Sequence, residues 1–238
     1  MVNVPAITKR ELNTYFLSPI AYVVLTGFAL AHGIMFSMAL RPPLDPNNAA
    51  QWALYVPIFL LVPAMPLLTM RLLSEETNRG TIETLMTTPV SETEVVLGKF
   101  VGAFIFAVVM FLPVLGELIF LRFVGPMDAG PLLSGFLGVF LLTGQFIAIG
   151  LFCSALTRIQ IASSITSFVL LLGLYFLWFL ARDSAGSLAR LLRYLCPPMH
   201  YADFLKGVVD TRHLAYFALT TAAFLFLTAK ALELRKWR

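Results

Sequence analysis

Charged residues are scarce in this 238-residue chain, because Asp, Glu, Lys and Arg together make up only 13% of it. A soluble domain carries about 25% charged residues. Hydrophobic residues make up 59%, and Phe alone occurs 21 times. This composition excludes a soluble enzyme and a disordered chain. The chain has only two cysteines, Cys153 and Cys196, so a disulfide scaffold is excluded as well.

Motifs for catalysis and for nucleotide binding are also absent from the sequence. It has no G-x-x-x-x-G-K-[ST] phosphate loop, no H-E-x-x-H and no G-x-S-x-G. We therefore expect no catalytic residue, no metal site and no cofactor in this chain, and no enzymatic activity of its own. The net charge of +4 comes from basic residues that form no long run, which argues against nucleic acid as a partner.

Long apolar stretches separated by polar turns predict an all-α, polytopic membrane protein that forms a single transmembrane domain over residues 1–238. The two largest polar connections are residues 73–97 and residues 181–212, and residues 1–18 are too polar to enter lipid. Each remaining stretch is long enough for one helix of about 20 residues. The six predicted spans are approximately 19–40, 52–72, 99–123, 132–156, 161–180 and 213–229.

The distribution of Lys and Arg over the loops predicts the orientation of the chain. An even number of spans places both termini on one side, and that side carries ten Lys and Arg residues against seven on the other. Positively charged loops stay in the cytoplasm. The sequence therefore predicts cytoplasmic termini, and it places residues 181–212 outside the cytoplasm.

The N-terminal 18 residues have the pattern of a short amphipathic helix at the membrane surface. Leu12, Tyr15 and Phe16 are spaced to share one helical face, and Arg10 and Glu11 precede them. Ser18-Pro19 then has the pattern of an N-cap followed by proline at the first helical position.

The polar segment between spans 2 and 3 carries closely spaced helix start and stop signals. Thr81 can cap a short helix that has Glu83 in its first turn, and Pro89 would end it. Ser91 and Glu94 form the capping-box pattern that opens the next helix. Such a shaped cytoplasmic surface favours docking of another protein, and its apolar face would consist of Ile82, Leu85 and Met86.

A few polar residues fall inside the predicted spans. Glu117 lies towards the outer end of span 3 and is a candidate functional group, although hydrogen bonding within the bundle would also explain it. His32 and Gln145 are expected to form hydrogen bonds between helices. Gly98-x-x-x-Gly102 is a close-packing motif of helices.

The order of these features resembles the permease subunit of ABC-2 type transporters, in particular the gliding-motility (GldF-like) branch. The resemblance covers nearly the whole chain. It rests on residues 9–22 (KRELNTYFLSPIAY), 75–91 (EETNRGTIETLMTTPVS), 96–100 (VLGKF), 197–210 (PPMHYADFLKGVVD) and 232–237 (LELRKW).

The resemblance implies a multi-pass permease of the bacterial cytoplasmic (inner) membrane, expected to export its cargo. It would pair with a second permease, as a homodimer or a heterodimer, and with two copies of a separate ATPase that binds ATP and Mg²⁺. Residues 1–18 would be the connecting helix, with Arg10, Glu11, Leu12, Tyr15 and Phe16. Residues 73–97 would hold the coupling helix, whose contacts with the ATPase would come from Gly80, Thr81, Ile82, Glu83, Leu85, Met86 and Thr87.

Three other functions are weighed against an ABC permease. A membrane anchor or force-transmitting component of a motility or secretion machine remains open, because the resemblance includes a motility branch. A membrane enzyme lacks the clustered ligands or nucleophiles it would need. A secondary transporter is disfavoured, because no inverted repeat is evident.

Overall fold

The computed structural model describes residues 3–42, 44–78, 80, 91–183 and 186–236. Within these residues the chain is all-α without strands, and six helical stretches are long and apolar enough to cross a membrane. The predicted fold class is therefore confirmed. The helices are α1 Val4–Phe16, α2 Pro19–Ala39, α3 Pro46–Thr69, α4 Ser74–Asn78, α5 Glu92–Val109, α6 Leu112–Val124, α7 Ala129–Leu156, α8 Gln160–Asp183, α9 Gly186–Leu195, α10 Pro197–Phe204 and α11 Thr211–Lys236.

Side-chain caps mark the start of α3 and α5. Ser91 accepts a hydrogen bond from the backbone N–H of Glu94, and the Glu94 carboxylate accepts one from the N–H of Ser91, so the predicted capping box opens α5. Asp45 caps α3 by accepting from the Asn47 N–H at 2.9 Å. With Pro46 at the first helical position, α3 starts six residues before the predicted beginning of span 2.

The third apolar stretch consists of two helices where the sequence predicts one. α5 ends at Val109, a turn occupies Met110 and Phe111, and α6 begins at Leu112. Pro113 lies in the first turn of α6. Proline has no N–H and its ring clashes with the carbonyl of the residue four positions earlier, which here is Val109. The predicted span 99–123 lies within Glu92–Val124, which is a single candidate membrane span that contains this turn.

Helices α3 and α7 form the centre of the bundle, and most of their residues are buried. Helices α2, α8 and α11 lie around them with mostly exposed, apolar surfaces. Apolar exposure on this scale is what a lipid environment allows, because lipid chains are as apolar as the side chains. The structure is therefore a bundle with two buried and several lipid-facing helices.

Helix α1 packs closely along α5, and the glycines of the predicted close-packing motif permit it. A Cβ atom on Gly98 would lie 2.7 Å from the Cβ of Ile7, and one on Gly102 would lie 2.8 Å from the Cβ of Glu11. Such distances are well below van der Waals contact. The Gly98-x-x-x-Gly102 motif therefore joins span 3 to the N-terminal helix of the same chain.

We call the end of the bundle at which α2 and α5 begin the N-terminal face, and the other end the far face. Helices α9 and α10 lie at the far face, where Tyr201 donates a hydrogen bond to the carbonyl of Leu54 at 2.8 Å. Ser134 of α7 donates to the carbonyl of Phe204 at 2.6 Å. These contacts hold the connection between α8 and α11 onto α3 and α7.

Candidate functional site

Six charged side chains from three helices and the end of α3 meet at the N-terminal face. We call this cluster the ionic joint, and it is formed by Arg10 and Glu11 of α1, Arg71 after α3, Glu75 and Glu76 of α4, and Lys99 of α5. Its three cations and three carboxylates balance in charge.

Lys99 is the centre of the ionic joint. Its side chain is 1% exposed, and its ammonium nitrogen lies 2.8 Å from Oε1 of Glu11 and 2.9 Å from Oε1 of Glu76. A buried ammonium is tolerated only when it is paired with and hydrogen-bonded to opposite charges. One side chain of α5 therefore connects α1 with α4.

The two arginines extend these contacts towards α2. Nη2 of Arg10 donates to Oε1 of Glu76 at 2.8 Å. Nε of Arg71 donates to the Glu75 carboxylate at 2.9 Å, and its Nη1 donates to the hydroxyl of Ser18 at 2.8 Å. The predicted N-cap bond of Ser18 is absent for this reason, since its oxygen accepts from the guanidinium instead.

The ionic joint connects α4 with α1 and α5 through directional ion pairs. The described residues contain no group of three or more potential metal ligands. Helix α4 lies within the predicted coupling-helix segment, residues 73–97, and precedes the residues from Gly80 to Thr87 that are predicted to contact the ATPase. A displacement of α4 would carry Glu76 with it and pull, through Lys99, on both α1 and α5.

Most of the predicted coupling residues lie outside the described part of the chain. These are Thr81, Ile82, Glu83, Leu85, Met86 and Thr87. Gly80 is described and has a φ of +71°, in the left-handed region that favours glycine. Their contact with an ATPase therefore stays a prediction.

The predicted connecting-helix residues differ in how deeply they are buried. Tyr15 is buried, stacks on Phe106 with ring centroids 4.9 Å apart and donates to the carbonyl of Leu68. This burial raises the pKa of the Tyr15 phenol. Leu12 is half-buried, whereas Phe16 is exposed. The residues of α1 that are buried in the bundle are Ile7, Thr8, Glu11 and Tyr15, and Glu11 pairs with Lys99 on this side of the helix.

Two of the predicted intramembrane polar residues contact each other. Nδ1 of His32 lies 3.1 Å from Oε1 and 3.0 Å from Oε2 of Glu117, and its Nε2 lies 2.9 Å from the carbonyl of Ala53. A carbonyl can only accept, so Nε2 carries a hydrogen. The pair therefore links α2 with α3 and with α6.

Gln145 lies apart from that pair. Its amide nitrogen donates to Thr220 Oγ1 at 3.0 Å and to the Tyr216 hydroxyl at 3.3 Å, both on α11. The expected hydrogen bonds between helices are therefore present for His32 and for Gln145.

A third polar cluster lies at the far face. Nδ1 of His200 lies 2.8 Å from Nδ1 of His213, and Nε2 of His213 lies 3.0 Å from Oδ2 of Asp203. Burial lowers the pKa of His200, and the hydrogen bond from Lys206 lowers the pKa of Asp203. The cluster ties α10 to the first turns of α11.

Sequence reasoning did not identify Lys99, Glu76 or the histidine pair as parts of clusters. One usable signal for the ionic joint was present in the sequence. Lys99 lies two turns into a helix that then becomes apolar, and the pair Glu75-Glu76 precedes that helix. The two histidines are 13 positions apart in different helices, and no local pattern joins them.

Comparison with known proteins adds one match. The sequence model described as ABC-2 family transporter protein matches residues 8–232. No curated protein matches the chain.

Proposed function

The chain belongs to the ABC-2 transporter family and is a permease component of an ABC transporter, and we propose that it forms the translocation path of an exporter driven by separate ATPase subunits. In this proposal two permeases, identical or different, assemble with two ATPases that bind ATP and Mg²⁺. The chain itself catalyses no reaction. It resides in the bacterial cytoplasmic membrane with both termini in the cytoplasm, and its resemblance to the gliding-motility branch is part of the same proposal.

The observation that carries this function is the position of Lys99. Its ammonium pairs with the helix that leads into residues 79–90 and with the N-terminal helix that packs along α5. An ATPase that moves the segment after α4 would act on both helices at once. Because Arg71 also holds Ser18 at the start of α2, the movement would reach the first span as a rigid-body tilt.

The coupling role is tested by Lys99→Met, with Lys230→Met as the matched control. Lys230 is an exposed lysine that pairs with Glu233 on its own helix. Each variant is purified in mild detergent together with the ATPase that accompanies the wild-type chain, and ATP hydrolysis is measured with and without the permease. We expect Lys99→Met to keep the ATPase bound but to abolish the effect of the permease on hydrolysis, whereas Lys230→Met behaves as the wild type.

Two results would contradict the proposal at different levels. If no protein with a phosphate loop accompanies the wild-type chain even after cross-linking, the ATPase-driven function fails and a passive membrane anchor becomes the better interpretation. If the ATPase is present and Lys99→Met couples normally, the permease function stands and the role given to the ionic joint is wrong. Charge reversal in the predicted docking segment, Glu83→Arg, should by contrast release the ATPase.

A further inference from the structure

A cavity of about 330 Å³ lies beside the ionic joint, between α1, the start of α2 and the end of α3. Its size falls at the lower end of the range of small-molecule sites, about 300–1,000 Å³. The transmission of motion described above does not require it. Its lining has two distinct parts, one charged and one apolar.

The apolar part of the cavity marks its depth in the membrane. It is formed by Ile20 and Ala21 in the first turn of α2 and by Leu67 and Leu68 in the last turn of α3. Spans begin and end where hydrocarbon meets the polar headgroup layer. The cavity therefore lies at the level of the lipid headgroups and the first methylenes of the acyl chains.

The charged part of the cavity presents mainly hydrogen-bond donors. The side chains of Arg10 and Arg71 are 49% and 32% exposed, whereas those of Glu11, Glu75 and Glu76 are 9%, 18% and 19% exposed. The carboxylates are thus turned towards the cations of the ionic joint. The contacts of the joint use Nη2 of Arg10 and Nε and Nη1 of Arg71. Among the described residues, Nη1 of Arg10 and Nη2 of Arg71 form no such bond and are available to a ligand.

Two exposed guanidinium groups above an apolar floor match one class of ligand. We propose that this cavity binds the phosphodiester of a membrane phospholipid, held by Arg10 and Arg71, with the first acyl methylenes on Leu67 and Ile20. Guanidinium groups bind phosphate oxygens through paired, charge-assisted hydrogen bonds. A free phosphate ion would leave the apolar floor unused. The inference needs only insertion in a membrane and does not depend on the transport function.

The test measures the thermal unfolding midpoint of the purified chain in mild detergent. The probe is dihexanoylphosphatidylglycerol, kept below its micelle-forming concentration, and the comparison compounds are dihexanoylglycerol and inorganic phosphate. A ligand that binds the folded state raises the midpoint in a saturable manner. We expect such a rise only with the phospholipid.

Two variants on α3 locate the effect. Leu67→Trp fills the floor of the cavity, and Phe59→Trp adds the same side chain at an exposed position of the same helix outside it. We expect Leu67→Trp to raise the half-saturating concentration at least about tenfold, because the indole would take the space of about two acyl methylenes, each worth about 0.8 kcal/mol when buried. We expect Phe59→Trp to leave the half-saturating concentration unchanged. Arg71→Gln should weaken binding similarly, because it removes a guanidinium group that would hold the phosphate. If Arg71→Gln does not fold, Leu67→Trp provides the test on its own.

Several outcomes would overturn the inference. An equal midpoint rise with dihexanoylglycerol would mean that only apolar surface is recognised, and an equal rise with inorganic phosphate would mean a free-anion site. No rise in the wild type, or an unchanged half-saturating concentration in Leu67→Trp, would mean that the cavity does not bind phospholipid.

Discussion

Replacing Lys99 by Met tests the energetic importance of the ionic joint. The substitution removes the ammonium and keeps an unbranched side chain of similar length in the contact between α1 and α5. Glu11 and Glu76 then keep their carboxylates within the same small volume, because both lie within 3 Å of the missing nitrogen. Two carboxylates in one buried site repel each other and lose their hydrogen-bond donor.

The magnitude follows from the remaining contacts. Removing one partner of a buried ion pair costs about 3–5 kcal/mol. Arg10 stays within 3.2 Å of Glu11 and 2.8 Å of Glu76 and offsets part of the loss. Its guanidinium is half exposed, so this compensation is weakened by solvent. We therefore expect Lys99→Met to lower the free energy of unfolding by about 2–3 kcal/mol, slightly less than removal of one partner of an uncompensated buried pair.

A double-mutant cycle in mild detergent measures this effect directly. Glu11→Gln should recover about half of the loss when it is added to Lys99→Met, since it removes one of the two repelling charges. The control Lys230→Met, at an exposed pair, should change stability by about 0.5 kcal/mol or less. A loss below about 0.5 kcal/mol for Lys99→Met would refute the reasoning, because such a small effect is typical of a solvated surface pair.

Three further predictions concern other parts of the fold. Gly98→Ala should destabilise the chain by about 1–3 kcal/mol, because the added Cβ would overlap Ile7. Gly116→Ala should have no such effect, because its added Cβ meets open space. Thermal unfolding of both variants measures the difference. Burial lowers the pKa of His200, so the imidazole of the folded state binds a proton less readily than that of the unfolded state. The resulting stability is present above about pH 6.5, the ordinary pKa of histidine, and is lost as the pH falls below it. Unfolding midpoints at pH 7.5 and 5 should therefore differ less in His200→Gln than in the wild type. Glu117→Gln should be tolerated, because its amide can donate to Nδ1 of a neutral histidine, whereas Glu117→Leu should cost about 1–3 kcal/mol by leaving that nitrogen unsatisfied.

The fold was predictable from the sequence wherever local signals decide the structure. Long apolar stretches predicted the spans. Ser91 and Glu94 predicted the start of α5 through the capping box, a hydrogen-bond pattern within four consecutive residues. The break before α6 was also encoded locally, by Pro113, but the strong apolar character on both sides of it pointed to a single span. Hydropathy predicts that a segment enters lipid, and it does not report a turn within that segment.

The candidate site was less predictable because its contacts join distant parts of the chain. Glu11 and Lys99 are 88 positions apart, and no spacing rule relates them. The apolar pattern of α1 predicted an amphipathic helix at the membrane surface, and it held no signal that Glu11 is buried. Glu11 is buried because it pairs with Lys99 of α5, and this tertiary contact overrides the local preference of the helix.

Polar contacts at two levels add to the apolar packing that couples α2 to the rest of the bundle. This helix is mostly exposed, and its buried apolar residues are Ala21, Val24, Phe28 and Phe36. At its first turn Ser18 accepts from Arg71 of the ionic joint, and near its middle His32 binds both Ala53 of α3 and Glu117 of α6. A helix held at a few directional contacts can tilt as a rigid body when one of them moves, without the cost of repacking a core. The ionic joint controls one of these contacts. Helix α4 is also bonded to α7, because the hydroxyl of Ser154 accepts from the backbone N–H groups of Leu73 and Ser74, so movement of α4 would act on α2 and on α7 together.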